Sequence, residues 1–152
     1  MKDKIYWNIA TVLNVGMLPQ APGTWGSLVG AFFVFFLHKY TVVYIILTLI
    51  LLWIGIIAST RIEKLVGETD PACIVIDEFV GILITFMFIP FNIKVAVIGF
   101  ILFRVFDIFK IPPMRRLEKL PQGAGIMCDD IMAAIYANLC LRILLIVLPN
   151  LS

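Results

Sequence analysis

The sequence predicts an all-α fold: an integral membrane helical bundle of four to five membrane helices, forming one domain over residues 1–152. Three observations carry this expectation. Of the residues, 62% are hydrophobic and only 14% are charged, and the mean hydropathy is +1.06. A soluble core of this length does not need so much apolar surface. Apolar runs occur at 27–37, 41–59, 79–89, 95–109 and 131–148. The charges gather in the loops on one side of those runs.

Taken in order, the elements justify themselves as follows. Lys2 and Lys4 precede a moderately apolar stretch that Asn8, Thr11 and Asn14 interrupt. No small-residue cleavage site follows, so a cleaved leader is not expected. An interfacial or partly buried helix fits better. The run 27–37 is short for a span, whereas 41–59 is almost wholly aliphatic and aromatic. Runs 79–89 and 95–109 are separated by Pro90-Phe91-Asn92, a turn signal. The last run contains Arg142 and ends at Pro149. The first and third runs must tilt, thin the bilayer or begin in the preceding polar loop. Cys73, Cys128 and Cys140 form no CxxC pair and read as reduced or buried thiols.

Charge sets the orientation. On the five-span reading, loops 1–26, 60–78 and 104–130 share one side. They hold Lys2, Lys4, Arg61, Lys64, Arg104, Lys110, Arg115, Arg116 and Lys119, against Lys39 and Lys94 opposite. The positive-inside rule makes the first side cytoplasmic and puts the C-terminus outside. Acidic residues played no part in that assignment, yet all of them fall on the same side. Carboxylates near hydrocarbon are expensive and need cations or a metal. The formal net charge of +2 gives no reason to expect a nucleic-acid partner.

Three loop motifs carry candidate chemistry. In Leu18-Pro19-Gln20-Ala21-Pro22-Gly23-Thr24-Trp25-Gly26-Ser27, two prolines stiffen the backbone and two glycines permit close approach. The free N–H groups at the start of the helix expected to open within Pro22–Ser27, together with the Thr24 and Ser27 hydroxyls, could bind a phosphate oxygen. A rigid turn with Thr24 or Ser27 as N-cap explains the same residues. There is no Gly-Lys-Ser/Thr, so this is not a nucleotide-binding P-loop. In the second motif, 70–78, Asp77 and Glu78 begin an apolar helix. They suit its positive end, and equally suit Mg²⁺, a hard ion that takes carboxylates, waters and phosphate.

The third motif runs from Arg104 to Asp130. Arg104 and Asp107 share a helix face at i, i+3. They form either a local ion pair or a division of labour, with Asp107 on metal and Arg104 or Lys110 on phosphate. Gly123-Ala124-Gly125 is expected to turn the chain, and Asp129-Asp130 to start the last helix, pointing about 100° apart so that one can ligate while the other orients. Arg115, Arg116 and Lys119 read as a surface for anionic headgroups.

Other chemistries lack their parts. His38 is the one histidine, so a two-histidine phosphatase and a Ser-His-Asp triad are excluded. No Cys-x5-Arg and no Asp-x-Asp occurs, and a structural zinc site lacks ligands. Carboxylate-held metal with cationic and backbone groups on phosphate remains. A transporter would be expected to place polar groups at mid-membrane. Here they lie at one edge. A phosphatidyltransferase would be another lipid-phosphate enzyme, but its Asp-Gly…Ala-Arg pattern is absent.

Four blocks in order resemble bacterial phosphatidylglycerophosphatase A. They are Pro19-Gln20-Ala21-Pro22-Gly23-Thr24-Trp25-Gly26-Ser27, Ile76-Asp77-Glu78-Phe79-Val80-Gly81, Phe103-Arg104-Val105-Phe106-Asp107-Ile108-Phe109-Lys110 and Gly125-Ile126-Met127-Cys128-Asp129-Asp130. The resemblance runs from about residue 14 to residue 137. It implies an Mg²⁺-dependent, all-helical enzyme of the bacterial inner membrane, with its site facing the cytoplasm. The implied reaction removes the terminal phosphate of phosphatidylglycerophosphate to give phosphatidylglycerol, within phospholipid biosynthesis. It implies metal ligands among Asp77, Glu78, Asp107, Asp129 and Asp130. The family pattern has Pro directly after the Lys, whereas here Ile111 intervenes before Pro112-Pro113.

Overall fold

The computed structural model describes residues 2–118 and 120–151, so Lys119 of the basic cluster lies outside the described residues. Those residues form seven α-helices, two short 3-10 turns and no strand. The first helix, α1 (Lys2–Ala10), packs along α3 and is tied to it by an Asp3–Arg61 ion pair of 2.7 Å. It ends in a left-handed turn at Val12, Leu13 and Asn14. There the Thr11 hydroxyl donates to the Trp7 carbonyl and accepts from the Asn14 N–H. The expected partly buried N-terminal helix is what forms.

α2 (Pro22–Leu37) starts with proline at its first position, where no N–H is needed. α3 (Thr41–Val66) continues seven residues past the expected 59, carrying Arg61 and Lys64 beyond the apolar run. α5 (Ile93–Phe109) is capped by Asn92, whose Oδ1 accepts from the Val95 N–H at 3.0 Å. A single turn, α6 (Met114–Leu117), precedes α7 (Gly123–Val147). α3 and α7 are long and apolar enough to cross a membrane, and α2 is shorter. The outward surface is apolar rather than charged: Phe32, Phe35, Trp53, Ile93 and Ile146 are all exposed.

The centre of the fold is α4 (Ile76–Thr85). Its ten residues rise only about 15 Å, and eight of them are buried among α2, α3, α5 and α7. Small residues let the neighbours close in. A Cβ at Gly26 would press on Val75, and one at Gly30 would sit 2.9 Å from the Phe79 carbonyl. A Cβ at Gly81 would meet the Phe103 ring at 2.6 Å. Of the run 79–89, only 79–85 is helix. Past Thr85 the backbone is irregular, and its carbonyls are satisfied from α7. Asn138 Nδ2 donates to the carbonyls of Thr85 (2.8 Å) and Met87 (3.0 Å), and lies 3.4 Å from that of Ile84. Arg142 donates to Asn138 Oδ1 at 2.8 Å and to the Met87 carbonyl at 3.2 Å. The one charge inside the last apolar run thus caps a broken helix. Irregular backbone among apolar helices persists only when satisfied in this way.

One expectation needs correcting. Gly123-Ala124-Gly125 does not turn the chain; it is the first turn of α7. Gly123 lies against α3, where a Cβ would meet the Ile56 carbonyl, and its N–H donates to Thr60 Oγ1 at 3.1 Å. Asp129 and Asp130 accordingly sit seven and eight residues into α7 rather than at its start. Cys73, Cys128 and Cys140 are unpaired thiols.

Candidate active site

Three helix ends, an inner turn of α7 and one loop meet at a cavity of about 310 Å³. α4 presents Asp77 and Glu78 in its first turn, where the free N–H groups favour negative charge. α5 brings Arg104, Asp107 and, just past its end, Lys110. Lys110 adopts a left-handed backbone conformation (φ 44°) that ends the helix and turns its side chain toward α7. α7 supplies Asp129 and Asp130, and the start of α2 supplies Pro22 and Gly23. The loop after α3 adds Asp70, in a left-handed conformation (φ 52°) that Asp tolerates.

The lining holds six carboxylates and two cations. Apart from Asp70, the carboxylates divide into two sets. Asp107 Oδ2 lies 2.7 Å from Arg104 Nη1, and Asp129 Oδ2 lies 2.8 Å from Lys110 Nζ, which also reaches Glu118 at 3.0 Å. Asp77, Glu78 and Asp130 form the other set. One carboxylate oxygen from each lies within 4.8 Å of the others. Asp77 Oδ1, Glu78 Oε2 and Asp130 Oδ2 are buried, with no hydrogen-bond partner among the described residues. Three buried oxygens of like charge without donors are strongly unfavourable unless neutralised. Hard carboxylate oxygens at this spacing fit a divalent cation such as Mg²⁺.

The cations are held but not saturated. The 2.7 Å contact of Arg104 Nη1 with Asp107 is an ion pair without hydrogen-bond alignment, and Glu78 Oε1 stands 3.7 Å away. Nη1 therefore keeps a buried donor with no aligned acceptor among the described residues. Burial alone would favour the neutral form of Lys110, but its hydrogen bonds to Asp129 and Glu118 outweigh this and hold its pKa above the ordinary lysine value. Burial raises the Asp70 carboxyl above its usual range, and the charge of Lys110 offsets this in part.

Of the residues singled out from sequence, Asp77, Glu78, Arg104, Asp107, Lys110, Asp129, Asp130, Pro22 and Gly23 line this one cavity. Thr24, Gly26 and Ser27 do not. Gly26 packs on Val75, and the Ser27 hydroxyl donates to the Gly23 carbonyl at 2.8 Å inside the helix. Neither Thr24 nor Ser27 is the N-cap; Ala21 is, without a side-chain bond. Gly23 has its own reason to be glycine: a Cβ there would overlap Glu78 Oε1. Asp70 was not singled out, although it opens the same block as Asp77 and Glu78. Arg115 and Arg116 are exposed, away from the cavity.

Comparison with known proteins points the same way. The phosphatidylglycerophosphatase A family model matches residues 8–145. A phosphatidylglycerophosphatase A of Haemophilus influenzae is 40% identical over 133 residues, covering 85% of this chain and 82% of its own. The Escherichia coli protein of that name is 33% identical over 136 residues, covering 86% and 78%. A Bacteroides thetaiotaomicron protein, provisionally named a phosphatidylinositol-3-phosphatase, is 33% identical over 144 residues, covering 89% and 90%. No solved structure matches the chain. On a family match that spans nearly its whole length, the chain belongs to the phosphatidylglycerophosphatase A family of phosphatases.

Proposed function

We propose that the protein hydrolyses the terminal phosphate monoester of phosphatidylglycerophosphate, releasing phosphatidylglycerol and inorganic phosphate, with Mg²⁺ as cofactor. Its place would be phospholipid synthesis at the inner membrane of a bacterium, with the cavity open to the cytoplasm. The observation that carries this reading is the trio Asp77, Glu78 and Asp130, each with a buried carboxylate oxygen that has no hydrogen-bond partner among the described residues, clustered in the lining of a cavity that also holds Arg104 and Lys110.

Each residue has a task that follows from its geometry. Asp77, Glu78 and Asp130 would hold the cation; when bound, Mg²⁺ supplies positive charge that polarises the phosphoryl group. Arg104 offers its unaligned Nη1 donor to a non-bridging phosphate oxygen, and Asp107 fixes the guanidinium. Lys110 adds a point charge, oriented by Asp129 and Glu118. Gly23 leaves open the space beside Glu78 that a side chain would fill. Water attacks phosphorus, the P–O ester bond breaks, and the leaving oxygen takes a proton to become the glycerol hydroxyl. Donors already placed for the charge that builds on phosphate need no reorganisation as the bond breaks.

The membrane arrangement we infer has five crossings. α2, α3, α5 and α7 cross as helices, and the third crossing is α4 followed by the irregular segment to Asn92. Bonds from Asn92 to Leu151 and from Lys94 to Asn150 hold the start of α5 beside the end of α7, at the far end of both helices from the carboxylates. The cavity then lies at the edge that carries the Lys/Arg excess.

The deciding experiment is phosphate release by the purified chain in detergent, with and without chelator. The panel is phosphatidylglycerophosphate, phosphatidylinositol 3-phosphate, phosphatidic acid and soluble glycerol phosphate. The expected result is Mg²⁺-dependent turnover with the highest kcat/KM on phosphatidylglycerophosphate, because the lipid portion contributes binding that the soluble monoester lacks. Full activity in excess chelator would end the metal reading. Equal kcat/KM for lipid and soluble monoesters would end the lipid reading.

A further inference from the structure

α2 and α3 are joined by a short connection, residues 38–40, yet hardly touch beyond it; both lean on α4 instead. Between them runs a groove of about 360 Å³. Ile76 and Phe79 of α4 form its floor, Phe33 stands on the α2 side, and Leu47, Leu51 and Ile54 stand on the α3 side. α1 and the left-handed turn after it close one end, where Asn8 is the single polar lining residue. Counted back from Arg61, Ile54 and Leu47 lie about 10 and 21 Å along the α3 axis. The groove thus runs through a depth that a bilayer fills with hydrocarbon, roughly 30 Å thick in all.

The floor residues alternate with the site. Ile76 and Phe79 face the groove, while Asp77 and Glu78, between them in the same helical turn, face the carboxylate cavity. One turn of α4 is the wall between an apolar trough and a polar one. At that depth the molecules that surround the protein in a bilayer are hydrocarbon chains, and every residue lining the trough except Asn8 is apolar.

We propose that this groove seats one acyl chain of the lipid phosphate whose headgroup enters the carboxylate cavity, an inference that rests on the phosphatase reading. Seating the chain fixes where the phosphate can hang relative to Asp77 and Glu78. A chain expelled from the groove would remain in the bilayer, so the groove contributes position more than hydrophobic binding, and position governs rate.

The test fills the groove. Leu47→Trp and Leu51→Trp narrow it, and Leu49→Trp, at an exposed position on α3 that does not line it, is the control. Against dipalmitoyl phosphatidylglycerophosphate the two groove variants should lose about tenfold in kcat/KM, while on the dihexanoyl lipid all three stay within about twofold of the parent chain. Equal losses on both lipids, or none on the long one, would overturn the proposal. A second readout needs no turnover: phosphatidylglycerophosphate with a photoactivatable group in mid-chain, bound to the Asp130→Asn variant, should leave adducts at Leu47, Leu51 or Ile54. Adducts spread evenly over the outward faces of α2 and α3, or confined to a protein–protein crosslink, would also overturn it. Absence of phosphate release from every lipid would remove the phosphatase reading and leave the adduct map as the separate test of the groove.

Discussion

A methyl group at Gly23 would fall on Glu78 Oε1, the movable tip of a side chain. Gly23→Ala should therefore leave the melting temperature almost unchanged, because the carboxylate can swing aside, while activity drops about tenfold or more as the oxygens of Asp77, Glu78 and Asp130 lose their spacing. Equal loss of stability and activity would mark Gly23 as a packing residue only. Asp77→Asn and Asp130→Asn replace donor-free oxygens with a neutral amide at the centre of the cluster. Turnover should fall about a hundredfold or more, with the fold retained, and the Mg²⁺ concentration for half-maximal activity should rise. Unfolding of both variants, read by circular dichroism, would assign the carboxylates to structure instead. The residue types of this site were legible in sequence because charge is scarce in so apolar a chain, and Arg104 to Asp107 is a spacing that can be read directly. Which carboxylates stand free and which are paired was not legible. That division depends on Arg104 and Lys110 choosing partners across three helices.

The element that most departs from its sequence appearance is α4. An apolar run of eleven residues looks like a span cut short, and nothing local says that its helix stops at Thr85. The stop is enforced from Asn138 and Arg142, more than fifty residues away, and such partners leave no local signal. Asn138→Leu keeps the branched four-atom shape of the side chain but removes the donor to the carbonyls of Thr85 and Met87, and with it the acceptor for Arg142. The expected loss is about 1–3 kcal/mol, the cost of leaving buried acceptors unpaired. Thermal unfolding in detergent measures it, and an unchanged midpoint would show that these carbonyls find other partners. The helices α2, α3, α5 and α7 were readable from their apolar runs alone, with errors at the ends. α7 begins eight residues before its apolar run, because Gly123 lies against backbone of α3 and Gly125 against the carbonyls of Glu118 and Leu120 rather than serving as a hinge.

For the molecule as a whole, the proposed five crossings make a statement about sides. Single cysteines at Glu68, Lys94 and Arg115 in a chain free of its native cysteines should separate under a membrane-impermeant thiol reagent. Positions 68 and 115 should react from the cytoplasm, and position 94 from the opposite face. Reaction of all three from one side would break the arrangement and put the irregular segment after α4 back at the cytoplasmic edge.

The free carboxylate oxygens belong to α4 and α7, and their paired neighbours to α5 and α7. On the proposed Mg²⁺ reading, the ion that neutralises them would also tie those helices together, so that part of what holds the bundle closed would be a dissolved ion and not the chain itself. Binding to the folded state alone raises stability by mass action, about 2.7 kcal/mol at a hundred times the dissociation constant. The melting midpoint should climb with Mg²⁺ in the parent chain and stay flat in Asp130→Asn; a midpoint indifferent to Mg²⁺ in both would rule out this coupling. Two batches of identical sequence and mass, one washed through chelating buffer and one not, would then differ in ruggedness, and the history of a sample would become one of its physical properties.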